Sequence, residues 1–210
     1  MLKKNVKNFL ISFTYMAIIA TFIMSVFFVE KSLSNDISSN YQDYVFVTKN
    51  IFGRDIPVIG GEQVIIKPYT DSKIKVLKHY YDYQAEKETQ EKALIYHENT
   101  YMQNSGVDFG GVDKFDVVSV LDGAVINVKD DTLFGKIVEI RHSNEGISLY
   151  QSLSEISVKK GDEVKQGQII GKSGVSNIDK ELGDHLHFEF FHKGQVVDPL
   201  KYFDKKIEEL

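Results

Sequence analysis

Residues 183–198 read GDHLHFEFFHKGQVVD, and this stretch decides the fold class. Two apolar-rich runs flank Lys193-Gly194, which is the pattern of a β-hairpin with a tight turn. In a strand, side chains two apart point the same way. His185 and His187 therefore face one side of a sheet, with Leu186 in the opposite layer. The same punctuation recurs upstream. Residues 156–174, ISVKKGDEVKQGQIIGKSG, carry glycines at 161, 167, 171 and 174 between short apolar runs. Residues 136–153, KIVEIRHSNEGISLYQSL, turn at Asn144-Glu145-Gly146. Residues 117–130, VVSVLDGAVINVKD, place Asp122-Gly123 between two alternating runs and predict a hairpin there. Strand character continues at 93–102, 73–83 and 56–69, with the charged segment 84–92 as a solvated or single helical turn. Short strands at this spacing, without a long amphipathic helix, predict a mainly β fold. It is an antiparallel β-sandwich or partly open barrel.

The N-terminal end reads differently. Residues 9–29, FLISFTYMAIIATFIMSVFFV, form an uncharged run of 21 residues. At 1.5 Å per residue such a helix spans roughly 30 Å, the thickness of a hydrocarbon core. Lys3, Lys4 and Lys7 precede it, so the N-terminus is expected in the cytoplasm and the C-terminus outside it. A cleaved signal peptide would have a shorter apolar run and a small-x-small site, which Val26-Phe27-Phe28-Val29 does not offer. The expected organisation is a cytoplasmic tail (1–8), a transmembrane helix (9–29), a Ser/Asn-rich stalk (30–50), strands of an exported domain (51–103), a second region (104–202) and a tail (203–210).

Charge and composition narrow the function. The whole chain has 25 basic and 30 acidic side chains over 210 residues, a net charge of −5. Setting aside Lys3, Lys4, Lys7 and Glu30 leaves 22 basic and 29 acidic side chains on the exported part. That acidity argues against nucleic acid as a partner. Cysteine is absent, which removes disulfides, thiol nucleophiles and thiolate metal sites.

Four segments then fall in order: Ser105-Gly106-Val107-Asp108-Phe109, Tyr150-Gln151-Ser152-Leu153-Ser154, the glycine-punctuated 158–174, and Gly183-Asp184-His185-Leu186-His187-Phe188-Glu189. Together they resemble the M23 (LytM, lysostaphin-like) zinc endopeptidases, which cleave peptidoglycan cross-bridges. The resemblance covers about the last hundred residues. It implies an M23-type β fold with zinc held by His and Asp of a His-x-Gly-x-Asp motif and by the second His of His-x-His. It also implies that the first His of that pair and another in a Tyr-x-His-Leu segment assist the zinc-bound water. Asp108, His185 and His187 match those positions. Asn104 stands where the first ligand His belongs, and Ser152 stands where the other catalytic His belongs. An amide oxygen is a poor zinc ligand, and a serine cannot shuttle protons as imidazole does. The resemblance thus implies a degenerate site: no intact catalytic set, no cofactor beyond weak residual zinc, and relic positions Asp108, His185 and His187. The plain structural alternative is that Asp108 bridges strands, hydrogen-bonded with His185 and His187.

A second resemblance covers most of the exported part. Tyr80-Tyr81-Asp82-Tyr83, Gln90-Glu91-Lys92-Ala93-Leu94, Asn99-Thr100-Tyr101, Phe115-Asp116-Val117 and Gly171-Lys172-Ser173-Gly174, behind one N-terminal anchor, are similar to the stage II sporulation protein Q family. It implies a forespore-membrane protein facing an intermembrane space. The implied partner is the exported domain of a stage III sporulation protein AH-like protein, with peptidoglycan as a further candidate ligand. An inactive binding module is the expected function, and a zinc metalloendopeptidase acting on peptidoglycan is the alternative. A lipoyl-like adaptor would need a long helical hairpin, which is not visible. Because open β folds leave unpaired strand edges, a partner strand is expected to add outside the cleft, along 136–150 and the neighbouring hairpins, with Lys136, Glu139 and Arg141 setting register.

Overall fold

The computed structural model describes residues 63–111 and 113–206, together with Met24. Apart from Met24, the segments expected as transmembrane helix and stalk lie outside the described residues. Among the described residues, no helix is long and apolar enough to cross a membrane.

The elements run β1 (Lys75–Lys78), α1 (Lys87–Lys92), β2 (Leu94–His97), β3 (Thr100–Gln103), β4 (Val107–Gly110), β5 (Asp116–Val118), β6 (Gly123–Asp131), β7 (Gly135–Arg141), β8 (Gly146–Ile156), β9 (Glu163–Val164), β10 (Ile169–Ser173), β11 (His185–His192) and β12 (Gln195–Val197). Ten strands join in one antiparallel sheet of order β1-β4-β11-β8-β7-β6-β9, with β12 on β11 and β10 between β5 and β8. β2 and β3 form a separate ribbon. The mainly β, antiparallel expectation holds.

The period of two in the sequence sorts the layers. On β11, Leu186, Phe188 and Phe190 point into the core, and on β4 Val107 and Phe109 do the same. Phe188 lies 5.2 Å from the Tyr150 ring and 5.9 Å from the Phe203 ring, centre to centre. Truncating a ring buried this way costs about 3–5 kcal/mol. Phe203 is thus a core residue, although it falls in the C-terminal stretch read as a tail. It is delivered by a short 3₁₀ turn, Pro199–Lys201, which Asp198 caps by accepting from the Leu200 N–H at 3.1 Å.

Two hairpins read from sequence are present: β7–β8, with Asn144 and Glu145 at φ of 53° and 57°, and β11–β12, turning at Lys193-Gly194. Residues 93–102 are not one strand but the β2–β3 ribbon, turning at Glu98-Asn99 with φ of 44° and 62°. Of the expected strand at 56–69, the described part carries only an isolated bridge from Val64 to Lys206. The Asp122-Gly123 hairpin is overturned. β5 pairs with β10, not with β6. The Asp122 carboxylate accepts from the Gln166 N–H at 2.8 Å and from Lys165 Nζ at 2.9 Å, so the dipeptide anchors a crossing. The hairpin partner of β6 is β7, and its loop is shaped by Asp131 Oδ1, which accepts from the Leu133 N–H at 2.9 Å.

The expected docking edge along 136–150 is also overturned. Val138 of β7 pairs with Val128 of β6 on one side and with Tyr150 of β8 on the other. Both ladders of β7 are occupied, so it cannot accept an added strand without losing a native one.

Candidate functional site in the cleft between β4, β11 and β8

β8 changes neighbours partway along its length. One edge follows β7. The other pairs with β11 over Gly146–Gln151 and with β10 over Leu153–Ile156. Ser152 sits at the changeover, where Gln151 and Ser152 together face Ile137 of β7. This is a β-bulge, the device that re-aims a side chain. Ser152 takes φ of 61°, in the left-handed region, which costs a non-glycine residue roughly 1–2 kcal/mol.

The bulge puts Ser152 Oγ 2.9 Å from His185 Nε2. His185 Nδ1 lies 2.8 Å from the Gly183 carbonyl oxygen. A carbonyl only accepts, so Nδ1 carries the hydrogen and the Nε2 lone pair receives the Ser152 hydroxyl. Ser176 Oγ lies 3.3 Å from the same nitrogen.

Two residues further along β11, the next cluster begins. His187 stands opposite Asp108 of β4 in the ladder. Its Nδ1 donates to Asp108 Oδ1 at 2.9 Å and its Nε2 to Glu189 Oε1 at 3.0 Å. Ser105 Oγ donates to the same Glu189 oxygen. Asn104 Nδ2 donates to Asp108 Oδ2 at 2.9 Å and to the His79 carbonyl at 3.1 Å, while its Oδ1 is buried without a hydrogen-bond partner. The strands can approach this closely because position 106 is glycine: a Cβ there would lie 2.3 Å from the Phe188 carbonyl oxygen.

Burial works against a charged His187. The Asp108 carboxylate, through charge and hydrogen bond, and then Glu189 outweigh it, and the imidazole pKa is raised to about 10. Burial alone would push Asp108 and Glu189 up, but His187 holds both below the usual carboxylate range. The three side chains form one buried set in which a single cation is shared by two carboxylates.

A cleft of about 200 Å³ opens above these groups. Ser152, His185, His187 and Asp108 lie on its floor, and Ile95, Met102, Phe134 and Ile178 supply apolar wall. Lys78 pairs with Asp179 at the rim and donates to the Leu94 carbonyl at 2.9 Å, tying β1 to the ribbon and to the 179 loop.

The expected residues thus divide into two groups. Asn104, Asp108 and His187 meet, and Ser152 meets His185. His185 does not bond Asp108. The first group is a poor donor set for the family zinc, because Asn104 adds only an amide beside Asp108 and His187. A catalytic zinc needs three protein ligands and an open position. Among the described residues no cluster of three or more His, Asp or Glu side chains is arranged to hold a metal ion. The sequence reading missed Glu189, although it continues the spacing of two from His185 and His187. Ser105, Lys78 and Asp179 gave no local signal.

Residues 102–199 match peptidase family M23. Stage II sporulation protein Q of Bacillus subtilis (strain 168) is 36% identical over 178 residues, which is 84% of this chain and 59% of that protein. A chain of the solved SpoIIQ–SpoIIIAH pore-forming complex is 38% identical with a TM-score of 0.69, covering 71% of this chain and 96% of that one. The chain belongs to the stage II sporulation protein Q family. Its M23 region also resembles the peptidoglycan DD-endopeptidase ShyA of Vibrio cholerae, 37% identical over 98 residues, 47% of this chain and 22% of that enzyme. The chain therefore spans 59% of the length of stage II sporulation protein Q and under a quarter of ShyA. The M23 fold and the sporulation family agree with the resemblances read from sequence.

Proposed function

We propose that the chain is a membrane-anchored docking module in endospore formation, built on an M23 domain that does not hydrolyse peptidoglycan. The observation that carries this reading is the likeness to stage II sporulation protein Q over 84% of the chain. The related solved complex contains SpoIIIAH, so the partner is the exported domain of a SpoIIIAH-like protein in the opposing mother-cell membrane. Residues 9–29 anchor the chain in the forespore membrane, with the N-terminus cytoplasmic and the remainder in the intermembrane space.

Loss of hydrolysis follows from the donor set. Asn104 replaces the first zinc ligand and Ser152 replaces a catalytic histidine. The mutual bonds of Asp108, His187 and Glu189 support this reading, because they satisfy the groups that would otherwise bind metal. Any zinc is weak and substoichiometric.

The test is co-purification of the full-length chain, solubilised in mild detergent, with the exported domain of a SpoIIIAH-like protein. Co-elution at equal stoichiometry is the expected result, and no co-elution overturns the docking reading. Metal analysis of the same preparation separates the second class. Stoichiometric zinc with cross-bridge release from purified wall establishes an endopeptidase. Asn104→His is expected to raise zinc content and Ser152→His alone is not, since only position 104 supplies a ligand.

A further inference from the structure

We infer that Ser152 and His185 form a nucleophilic serine–histidine pair, able to accept a short acyl group from a carboxylic ester entering the cleft. Four observations converge on it. Ser152 Oγ is 2.9 Å from His185 Nε2. The Gly183 carbonyl fixes the tautomer that leaves Nε2 free to take the hydroxyl proton. Ser152 is held at a φ of 61° on a bulge, and strained residues of this kind gather at functional sites. It also lines the cleft of about 200 Å³.

The protein contains its own comparison. His142 Nδ1 donates to the Asp122 carbonyl at 2.9 Å, and its Nε2 lies 2.7 Å from Ser148 Oγ. This second Ser–His–carbonyl relay has nearly the same distances, and Ser148 and Ser152 are both almost wholly buried, but of the two it is Ser152 that lines the cleft. Hydrogen bonding alone therefore does not single out Ser152; the opening above it does. Ser176, also within reach of His185 Nε2, is not on the cleft wall either.

The step balances within the pair. Ser152 Oγ bonds to the acyl carbon and its proton passes to His185 Nε2. The ester C–O bond breaks, and the leaving alcohol takes that proton from His185. The product is an O-acyl serine, which water cleaves by the same proton transfers in reverse. The apolar wall of Ile95, Met102, Phe134 and Ile178 suits a short aliphatic or aryl ester. This chemistry is independent of docking to a membrane partner.

The experiment exposes the full-length wild-type chain to diisopropyl fluorophosphate. Attack by Ser152 breaks the P–F bond and forms a serine phosphoester, with the proton leaving alongside fluoride. Peptide mapping by mass spectrometry is expected to place one adduct on Ser152 and none on Ser148. The same protein is expected to give a stoichiometric burst of nitrophenol from p-nitrophenyl acetate, slowed about 100-fold by His185→Gln. No adduct on Ser152, or equal labelling of Ser148, overturns the inference, and the labelling readout requires no variant to fold.

Discussion

Replacing Asp108 by Asn removes the carboxylate that holds the buried His187 cation. In the native protein the His187 pKa is about 10, against an ordinary value of 6.5. A folded pKa above the unfolded one contributes stability that is complete below pH 6.5 and lost as pH rises through about 10. Between pH 7.5 and 9.5 the native state keeps this proton and the unfolded chain has released it. Unfolding free energy should then fall by about 1.4 kcal/mol per pH unit, or about 3 kcal/mol across the window. Tyr150, which burial raises to about 12, titrates above this range and does not enter it. Breaking a buried ion pair costs about 3–5 kcal/mol, so Asp108→Asn should lose that much at pH 7.5 and show a shallower slope with pH. The assay is urea unfolding of the full-length protein in detergent, followed by near-ultraviolet tyrosine circular dichroism. A wild-type stability that is flat across the window, or an unchanged slope in Asp108→Asn, would refute the ionic account of this cluster.

Three further outcomes are expected. Burial lowers the His142 pKa to about 4, so its contribution is complete above pH 6.5 and lost as pH falls through about 4; the same unfolding series run toward acid should lose about 3 kcal/mol from this group. Gly106→Ala drives a Cβ against the Phe188 carbonyl and should cost about 1–3 kcal/mol, read as a lower urea midpoint with an unchanged m-value. Val138→Pro should abolish native circular dichroism rather than selectively weaken partner binding, because β7 is paired on both sides; a folded, non-binding Val138→Pro protein would restore the discarded edge hypothesis.

What the sequence discloses follows the range of the interaction. The alternation His-Leu-His-Phe-Glu-Phe is local, so β11 and its two faces are legible. The Lys193-Gly194 turn is legible for the same reason. Asp122-Gly123 misleads because a turn dipeptide says that the chain changes direction and not which strand receives it; capture of the Asp122 carboxylate by Gln166, 44 residues on, decides that. The edge status of β7 is likewise a property of its neighbours. In the cleft, Asp108 and His187 come from motifs, but the Lys78–Asp179 pair joins residues 101 apart and leaves no trace in either segment. Ser152 reads as a vacancy in a motif, and only the bulge shows that its hydroxyl meets His185.

The wide sequence separation within the cleft bears on how the molecule comes to exist. The β6–β7 and β7–β8 pairings close over short loops, whereas Asp108 and His187 lie 79 positions apart in the chain. Loop-closure entropy penalises the second kind of contact more heavily. The meander of β6, β7 and β8 is thus expected to form before the cleft does. Substitutions in the β7–β8 turn should slow refolding, whereas those at Asp108 or His187 should chiefly hasten unfolding. A refolding chain would thus hold a sound scaffold before the residues of its cleft had met.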